Sequence, residues 1–520
     1  MTPSTYQQAI FAHVAAQRIG TTAGTVLNDL CDCSHFDIGH NVGCPAEGQA
    51  HAIIEAVAGS GKTTTIVKAL ELTRHPAVFL AFNKSIAEEL KRRVPRHVQA
   101  RTFHSLCYRP VLQAVGASDV NQSKIQQIIK YALPLAEAAM YGAFVRRLVG
   151  LARNAGLGAL MEASEENFYA LVELHDLTLE HEAASEEKGI RYAQRVLELS
   201  NDSRDVDFDD LLYMAVLKGI KLPSFLWVFV DEAQDTNAIQ RAILRKIVAE
   251  GGRLVAVGDA AQAIYGFRGS DSNSLDLIAE SFSPCIRLPL SVTYRCPAKV
   301  VERAKAFVPA IEAREGAPEG QVEDLGEAWK LTDFGSHDIV ICRNTKPLLD
   351  LGYRLMCAKI PLRILGRDIG EGLVSLIRKC DGAKGLDDML EALERWQVRE
   401  SQKAIAKGND AKAEAVADKA GAVKMLAASL PEGERTVEAL VGVIQALFTD
   451  ANSRVTLSTV HKAKGLEAET VWWLAPSLCP SRWAKKPWQK QQEKNIQYVA
   501  ITRAKQHLVL IELPGKEQQK

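Results

Sequence analysis

The chain has 520 residues, more than one ordinary core accommodates, and its 63 basic and 63 acidic side chains cancel, which excludes a binder that holds nucleic acid by bulk charge and leaves only a local surface for that role. A hydrophobic content of 47% with 24% charged residues is that of a soluble globular protein, and no apolar run reaches the length of a membrane span. The ten cysteines are mostly scattered and read as reduced thiols, and the opening MTPSTYQQAIFAH lacks the basic and apolar regions of a signal peptide, so the expected location is cytoplasmic, or nucleoid-associated in a prokaryotic or viral setting.

Early in the chain, LCDCSHFDIGHNVGC gathers Cys31, Cys33, His35, His40 and Cys44. Zinc is one reading and a tolerant loop the other. The spacing is not that of a zinc finger and there is no second paired half, so no bound metal is expected. Next, an apolar run at Ile53 and Ile54 leads into AVAGSGKTT. Gly59 and Gly61 let backbone N–H groups converge on phosphate oxygens, Lys62 neutralises terminal phosphates, and Thr63 can hold magnesium at a helix start. Ala58, Ser60 and Thr64 complete the expected ATP cradle. The first position of the usual pattern is Ala56 rather than Gly, and an ordinary strand-to-helix turn is the alternative.

VFLAF (Val78 to Phe82), LWVFV (Leu226 to Val230) and RLVAV (Arg253 to Val257) are predicted strands interleaved with helical patterns, the rhythm of a parallel α/β sheet. A stretch from about 109 to 204 reads as helix after helix. The second predicted strand ends in DEAQD, which delivers Asp231 and Glu232 to the strand's C-terminal end, where open α/β sheets bind ligands. Asp231 is placed to hold magnesium and Glu232 to take a proton from an attacking water. LVAVGDAAQAIYGFRGSD then puts the polar Gln262 beside Tyr265, Phe267 and Arg268, a sensor next to two aromatic rings.

A second series of strands is predicted at Asp338 to Cys342, Val455 to Thr459, Thr470 to Leu474 and His507 to Leu513, so two α/β units are expected. Between them, about 381 to 449 is helical, including the Ala- and Lys-rich KAIAKGNDAKAEAVADKAGAVKML; its scarcity of Gly and Pro favours helix over a charged linker. The boundaries read from this pattern are 1–108, 205–283 for the first sheet domain with a helical insertion at 109–204, and 284–380, 450–520 for the second with an insertion at 381–449. YRCP supplies Tyr294 and Arg295, and YVAITRA supplies Arg503, arginines of the second unit that can answer a phosphate. RWAKKPWQKQQEK, residues 482–494, interleaves basic residues with Trp483 and Trp488; a solvated loop with inward-packed tryptophans is preferred there to a grip on DNA phosphates.

Taken together and in order, these segments resemble the UvrD/Rep-type helicases of superfamily 1, leaning toward the branch that includes the F-box DNA helicases through AFNKSIAEE, RTFHSL and NIQYVAITRAK. The resemblance implies two RecA-like parallel-sheet motor domains, each interrupted by a helical insertion, with ATP and Mg2+ between them and single-stranded DNA across their top. It makes Gln7 of TYQQAI the adenine reader, with Gln8 as the alternative, and places Tyr294 and Glu467 of STVHKAKGLE near the nucleotide. Asn83, Thr102, Phe103, His104, Tyr265, Phe267 and His461 become the DNA-contacting set, although core packing is the preferred reading for Phe103. Thr293, Phe267 and Ala468 depart from the family's usual Asn, Trp and aromatic residues, which touches stacking strength rather than catalysis.

The second insertion is short for the family, and the sequence given ends soon after the last motif without an appended nuclease. The implied activity is ATP-driven 3′ to 5′ translocation with duplex unwinding. The alternative is a translocase or clamp that displaces bound proteins without productive unwinding. The implied partners are single-stranded and tailed duplex DNA, with DNA repair or replication proteins as further candidates and no membrane.

Overall fold

Side chains of a β-strand alternate between its two faces, and a strand apolar on both faces belongs inside a parallel sheet covered by helices. Strand β2 (Ala77–Leu80) has this character: Val78 and Leu80 join one apolar core while Ala77 and Phe79 join another. In β4 (Phe225–Val230), Val228 and Val230 enter the first core, and Trp227 and Phe229 the second. The structure is a computed structural model that describes residues 3–16, 50–175, 177, 179, 184–264, 273–335, 337–380, 385–406, 410–448, 455–482 and 484–513. Cys31, Cys33, His35, His40 and Cys44, Tyr265, Phe267 and Arg268, and Trp483 therefore lie outside the described residues.

The chain divides into two units, residues 1–292 and 293–520. The first is built on a six-stranded parallel sheet ordered β3-β2-β4-β5-β1-β6, with β1 at His51–Ala56, β3 at Val98–Arg101, β5 at Val248–Gly258 and β6 at Cys285–Leu290. One face is covered by α1 (Thr5–Ala16), α2 (Lys62–Glu71) and α3 (Lys84–Lys91), which contribute Ile10, Ile66, Leu70 and Leu90 to the core. The other is covered by α4 (Phe103–Val115), α5 (Lys124–Ala132), α6 (Leu135–Ala155), α7 (Glu165–Leu174), α8 (Glu186–Asp202), α9 (Asp210–Leu217), α10 (Ala238–Ile247) and α11 (Ser274–Ser281).

The helices between β3 and β4 are tied together by buried charge. Lys124 meets Asp210 at 2.6 Å, and Arg153 meets Asp207 at 2.8 Å. Removing one member would strand its partner in the core, which makes the cluster a lock between α5, α6 and α9.

One boundary differs from the sequence reading. Residues 284–292, expected to open the second sheet domain, belong to the first unit, because β6 pairs with β1 from His51↔Cys285 to Ala56↔Leu290. Pro289 sits on this edge strand, where a missing N–H costs no ladder bond.

A small ribbon, β7 (Val292–Thr293) with β8 (Glu312–Ala313), begins at the boundary, and the second unit contains a six-stranded parallel sheet ordered β11-β12-β10-β13-β14-β9. Its strands are β9 (Gln321–Gly326), β10 (Asp338–Cys342), β11 (Leu362–Ile364), β12 (Val455–Thr459), β13 (Ala468–Leu474) and β14 (Ala504–Ile511). Helices α12 (Ala298–Ala304) and α13 (Thr345–Cys357) flank it. The insertion consists of α14 (Arg367–Cys380), α15 (Leu386–Ala406), α16 (Asp410–Ala428) and α17 (Val437–Leu447), and α18 (Pro487–Ile501) precedes the last strand. The Ala-rich segment is helical over α15 and α16, as its composition predicts. No described helix is long and apolar enough to cross a membrane.

Candidate functional site

Because every strand of the first sheet runs the same way, the loops after β1, β2, β3, β4 and β5 all emerge at one edge, the C-terminal one. The loop after β1 is the glycine-rich turn. Gly59 and Gly61 take φ of 70° and 75°, the left-handed region that glycine enters without steric cost, and Gly61 caps α2. Ser60 is buried, and its hydroxyl has no hydrogen-bond partner among the described residues. A buried hydroxyl left unsatisfied costs free energy, and a phosphate oxygen supplies the missing partner, so the loop fits a nucleotide.

Next to this turn, the loop after β4 brings in the two acids. Thr63 Oγ1 donates to Asp231 Oδ2 at 2.9 Å, and Lys62 Nζ lies 3.7 Å from Glu232 Oε1. Burial, reinforced by the neighbouring Glu232 charge, raises the Asp231 carboxyl to about 6 against the pull of Lys62 and Thr63. A divalent cation would reverse that balance, so the Thr63 and Asp231 oxygens fit magnesium. Glu232 adopts a left-handed backbone with φ of 52°, uncommon for a residue with a side chain, which turns its carboxylate toward the glycine-rich loop.

Gln234, which the sequence reading did not single out, ties the site together. Its amide nitrogen donates to Glu232 Oε2, and its amide oxygen accepts from the Asp259 N–H at 3.0 Å after β5. The buried Gln262, the expected sensor, donates from Nε2 to Asp259 Oδ2 at 2.6 Å. Lys62, Thr63, Asp231, Glu232 and Gln262 are thus brought together at the ends of β1, β4 and β5. Gln7 reaches the same helix from α1, donating from Nε2 to Thr65 Oγ1 at 2.9 Å, whereas Gln8 bonds the exposed Pro3 carbonyl. Thr64 points elsewhere and accepts from Arg93 Nη2 at 3.3 Å.

Further along the same edge, the ends of β2 and β3 carry the expected DNA-contacting residues. Asn83 caps α3 by accepting from the Ile86 N–H, and Thr102 caps α4 in a reciprocal pair with Ser105. Phe103 has the core-packing role preferred for it and leaves the stacking set. It is buried in the apolar core with Leu106 and Val111, because the cap at Thr102 turns it inward, and it presents no ring to solvent.

The rings that are presented are ones the sequence reading passed over. Phe208 is 53% exposed and stacks on His104 at 4.1 Å between centroids, and Phe82, at the end of the β2 run, is 43% exposed. Burial lowers the His104 imidazole to about 4, so at neutral pH it offers a flat neutral ring rather than a charge. For Phe208 the missed signal was an aromatic set among acids in DVDFDD; for Phe82 it was the last position of an apolar strand.

In the second unit the expected residues fall at opposite edges of the sheet. His461 follows β12 at the C-terminal edge, where Arg343 and Asn344 follow β10; these three line a cavity of about 440 Å³ with Thr345, Asp418 and Thr459. Glu467 and Arg503 lie just before β13 and β14, at the N-terminal edge. There Arg295 Nε donates to Glu467 Oε2 at 2.6 Å and Lys505 lies 2.7 Å from Oε1. Burial alone would raise the Glu467 carboxyl, but Lys505 and Arg295 outweigh it and hold it below the usual range. Arg503 is buried, donating to the carbonyls of Val499 at 2.9 Å and Leu466 at 3.3 Å. Tyr294 is half-buried beside Arg295.

Residues 44–283 match the family described as "UvrD/REP helicase N-terminal domain", and residues 398–513 match "UvrD-like helicase C-terminal domain". The chain is 25% identical to F-box DNA helicase protein 1 of Schizosaccharomyces pombe over 88% of its own length and 55% of that protein. It is 24% identical to F-box DNA helicase 1 of Gallus gallus over 88% of this chain and 47% of that one. It is 25% identical to the ATP-dependent DNA helicase PcrA of Bacillus subtilis over 49% and 37% of the two chains. The chain spans about half the length, or less, of these curated relatives.

Proposed function

The chain belongs to the UvrD-like helicases, and from that premise we propose that it is an ATP-dependent DNA helicase that moves 3′ to 5′ along single-stranded DNA and separates duplexes. The observation that carries this reading is the contact of Thr63 with Asp231 and of Lys62 with Glu232, beside a glycine-rich turn whose buried Ser60 hydroxyl lacks a partner. In this reading Lys62 and the loop N–H groups bind the phosphates, Thr63 and Asp231 hold Mg2+, and Gln7 reads the base. Magnesium, when bound, neutralises phosphate charge. Glu232 takes the proton of the attacking water, Gln262 senses the terminal phosphate through Asp259, and Arg295 and Arg503 supply positive charge as the transition state develops.

Single-stranded DNA is assigned to the exposed edge after β2 and β3, where Phe82, Phe208 and His104 offer flat faces and Asn83 and Thr102 offer polar ones. Base stacking is worth about 1 to 3 kcal/mol per base and does not depend on sequence, as a translocating motor requires. With strands about 4.8 Å apart, the end of β2 lies roughly 14 Å from that of β1, so nucleotide and DNA share one sheet edge without sharing residues. Tyr265 and Phe267, outside the described residues, remain proposed stacking contacts.

The test is strand displacement on 3′-tailed, 5′-tailed and blunt duplexes beside DNA-stimulated ATPase. Unwinding of the 3′-tailed substrate alone is expected. Preference for the 5′ tail would reject the polarity, and stimulated ATPase with no unwinding on any substrate would leave a translocase that displaces bound proteins.

A further inference from the structure

Three consecutive threonines open α2, and each is engaged by a different part of the first unit. Thr63 holds Asp231, on the side assigned to the metal, and Thr65 holds Gln7, on the side assigned to the base. Thr64, between them, is exposed and is held by a cation. Arg93, just beyond the end of α3, donates from Nη2 to the Thr64 hydroxyl at 3.3 Å and from Nη1 to Glu89 Oε1 at 2.8 Å. Those bonds use one N–H from each Nη nitrogen, and no bond from the other three N–H donors is found among the described residues. An i,i+4 ion pair on a helix surface needs no third partner, yet this guanidinium reaches a helix distant in sequence, at its first turn.

We propose that Arg93 is a nucleotide-contacting residue that faces the part of ATP between the terminal phosphates and the base, where it pairs with the α-phosphate. The proposal rests on the ATP site assigned above and adds a side chain from an element that the glycine-rich turn does not include. A guanidinium matches phosphate geometry with two parallel N–H donors, and Arg93 has them to spare once Thr64 and Glu89 are satisfied. Because the α-phosphate is common to ATP and ADP, the contact serves affinity for both nucleotides, while the γ-phosphate chemistry stays with Glu232 and the second unit's arginines.

The test measures KM and kcat for ATP in the full chain carrying Arg93→Ala, Arg93→Lys or Glu89→Gln, and ADP affinity by displacement of a fluorescent ADP analogue in these and in Lys62→Ala. Arg93→Ala is expected to raise KM and weaken ADP about tenfold, a typical loss for one charge-assisted phosphate contact, with a much smaller change in kcat. Arg93→Lys should recover part of that loss, because the charge remains and the fork does not. Glu89→Gln should leave KM within about twofold, since it removes only the exposed pair.

Unchanged nucleotide affinity in Arg93→Ala, beside a clear loss in Lys62→Ala, would overturn the role of Arg93 and leave the ATP site standing. Unchanged affinity in both would overturn the site and the inference together. An equal loss in Glu89→Gln would make Arg93 a support for the end of α3 and reject the phosphate contact.

Discussion

The Thr63 hydroxyl donates to Asp231 across 2.9 Å, so the two groups assigned to magnesium satisfy each other within the protein. The bond leaves Asp231 a buried acid raised to about 6 by its surroundings, Glu232 above all among the charges. Function and stability are therefore opposed at this residue, and the opposition can be measured.

Unfolded, the Asp231 carboxyl ionises near its ordinary 3.8, and folded near 6. Between those values the folded chain holds the extra proton, so the stability associated with this group falls as pH rises through that window and stays lower above it. Asp231→Asn should accordingly be more stable than wild type by about 2 kcal/mol at pH 7 and little different at pH 4, while losing magnesium-dependent hydrolysis. Urea unfolding at the two pH values checks this; equal stabilisation at both would show that ionisation is not the cause.

Lys62→Ala should abolish ATP hydrolysis and leave single-stranded DNA affinity within about threefold, because the rings assigned to DNA, Phe82 after β2, His104 in α4 and Phe208 before α9, lie outside the glycine-rich turn. Glu232→Gln should still bind ATP but turn over at least about a hundredfold more slowly, since the amide keeps the shape and loses the base. Single-turnover ATPase and fluorescence anisotropy on labelled DNA separate the two outcomes, and normal turnover in either variant contradicts its role.

The two arginines of the second unit should fail differently. Arg295 is partly exposed, and its partner Glu467 keeps Lys505 when it is removed, so Arg295→Ala should lose turnover with little change in melting temperature. Arg503 is buried on the carbonyls of Val499 and Leu466, and Arg503→Ala removes both bonds and empties buried space. A stability loss of about 2 to 4 kcal/mol is expected beside the loss of turnover. Calorimetry on both variants tests the contrast, which disappears if they melt alike.

Phe208→Ala should weaken single-stranded DNA binding about tenfold, by the worth of one stacked base, while ATPase without DNA stays near wild type. Phe208→Trp should bind at least as well as wild type. The surrounding fold loses little, because the ring is more than half exposed and rests on His104 alone among the described aromatic pairs. If Phe208→Ala binds DNA normally, the stack is a surface accident and Phe82 is the better candidate.

How far the sequence carried depended on whether a property is local. The strands Asp338–Cys342 and Val455–Thr459 lie where their β-branched runs end, because strand formation follows from side-chain type over a few residues. The glycine-rich turn and the acids after β4 were legible for the same reason: spacing alone puts Lys62 and Asp231 at strand ends. Ladder neighbours are not local, so CIRLPL could not announce that it pairs with β1 and extends the first sheet. Phe103 reads as core from the sequence, but nothing local singles out Phe208 as the exposed ring. Both are phenylalanines near a polar turn, and the packing of the helices over the sheet buries one at 6% exposure and leaves the other at 53%. Gln234 and Arg93 were missed because their roles are bonds to residues distant in the chain.

The segment from Val460 to Glu467 joins the C-terminal end of β12 to the N-terminal end of β13, and β10 lies between those strands. The registers place Thr459 level with Leu474, so the return must descend the length of β13, about 20 Å, while crossing two strand spacings. With part of the segment coiled in turns, little contour is left over. Mechanically it is a short stay rather than a slack cord: a shift of His461 at one rim reaches Glu467 and its arginine at the other through a few residues, with only the turns between them to give. Letting out that stay, by inserting a few glycines between Ala463 and Leu466, should leave each rim intact and remove the coupling of DNA binding to ATP turnover.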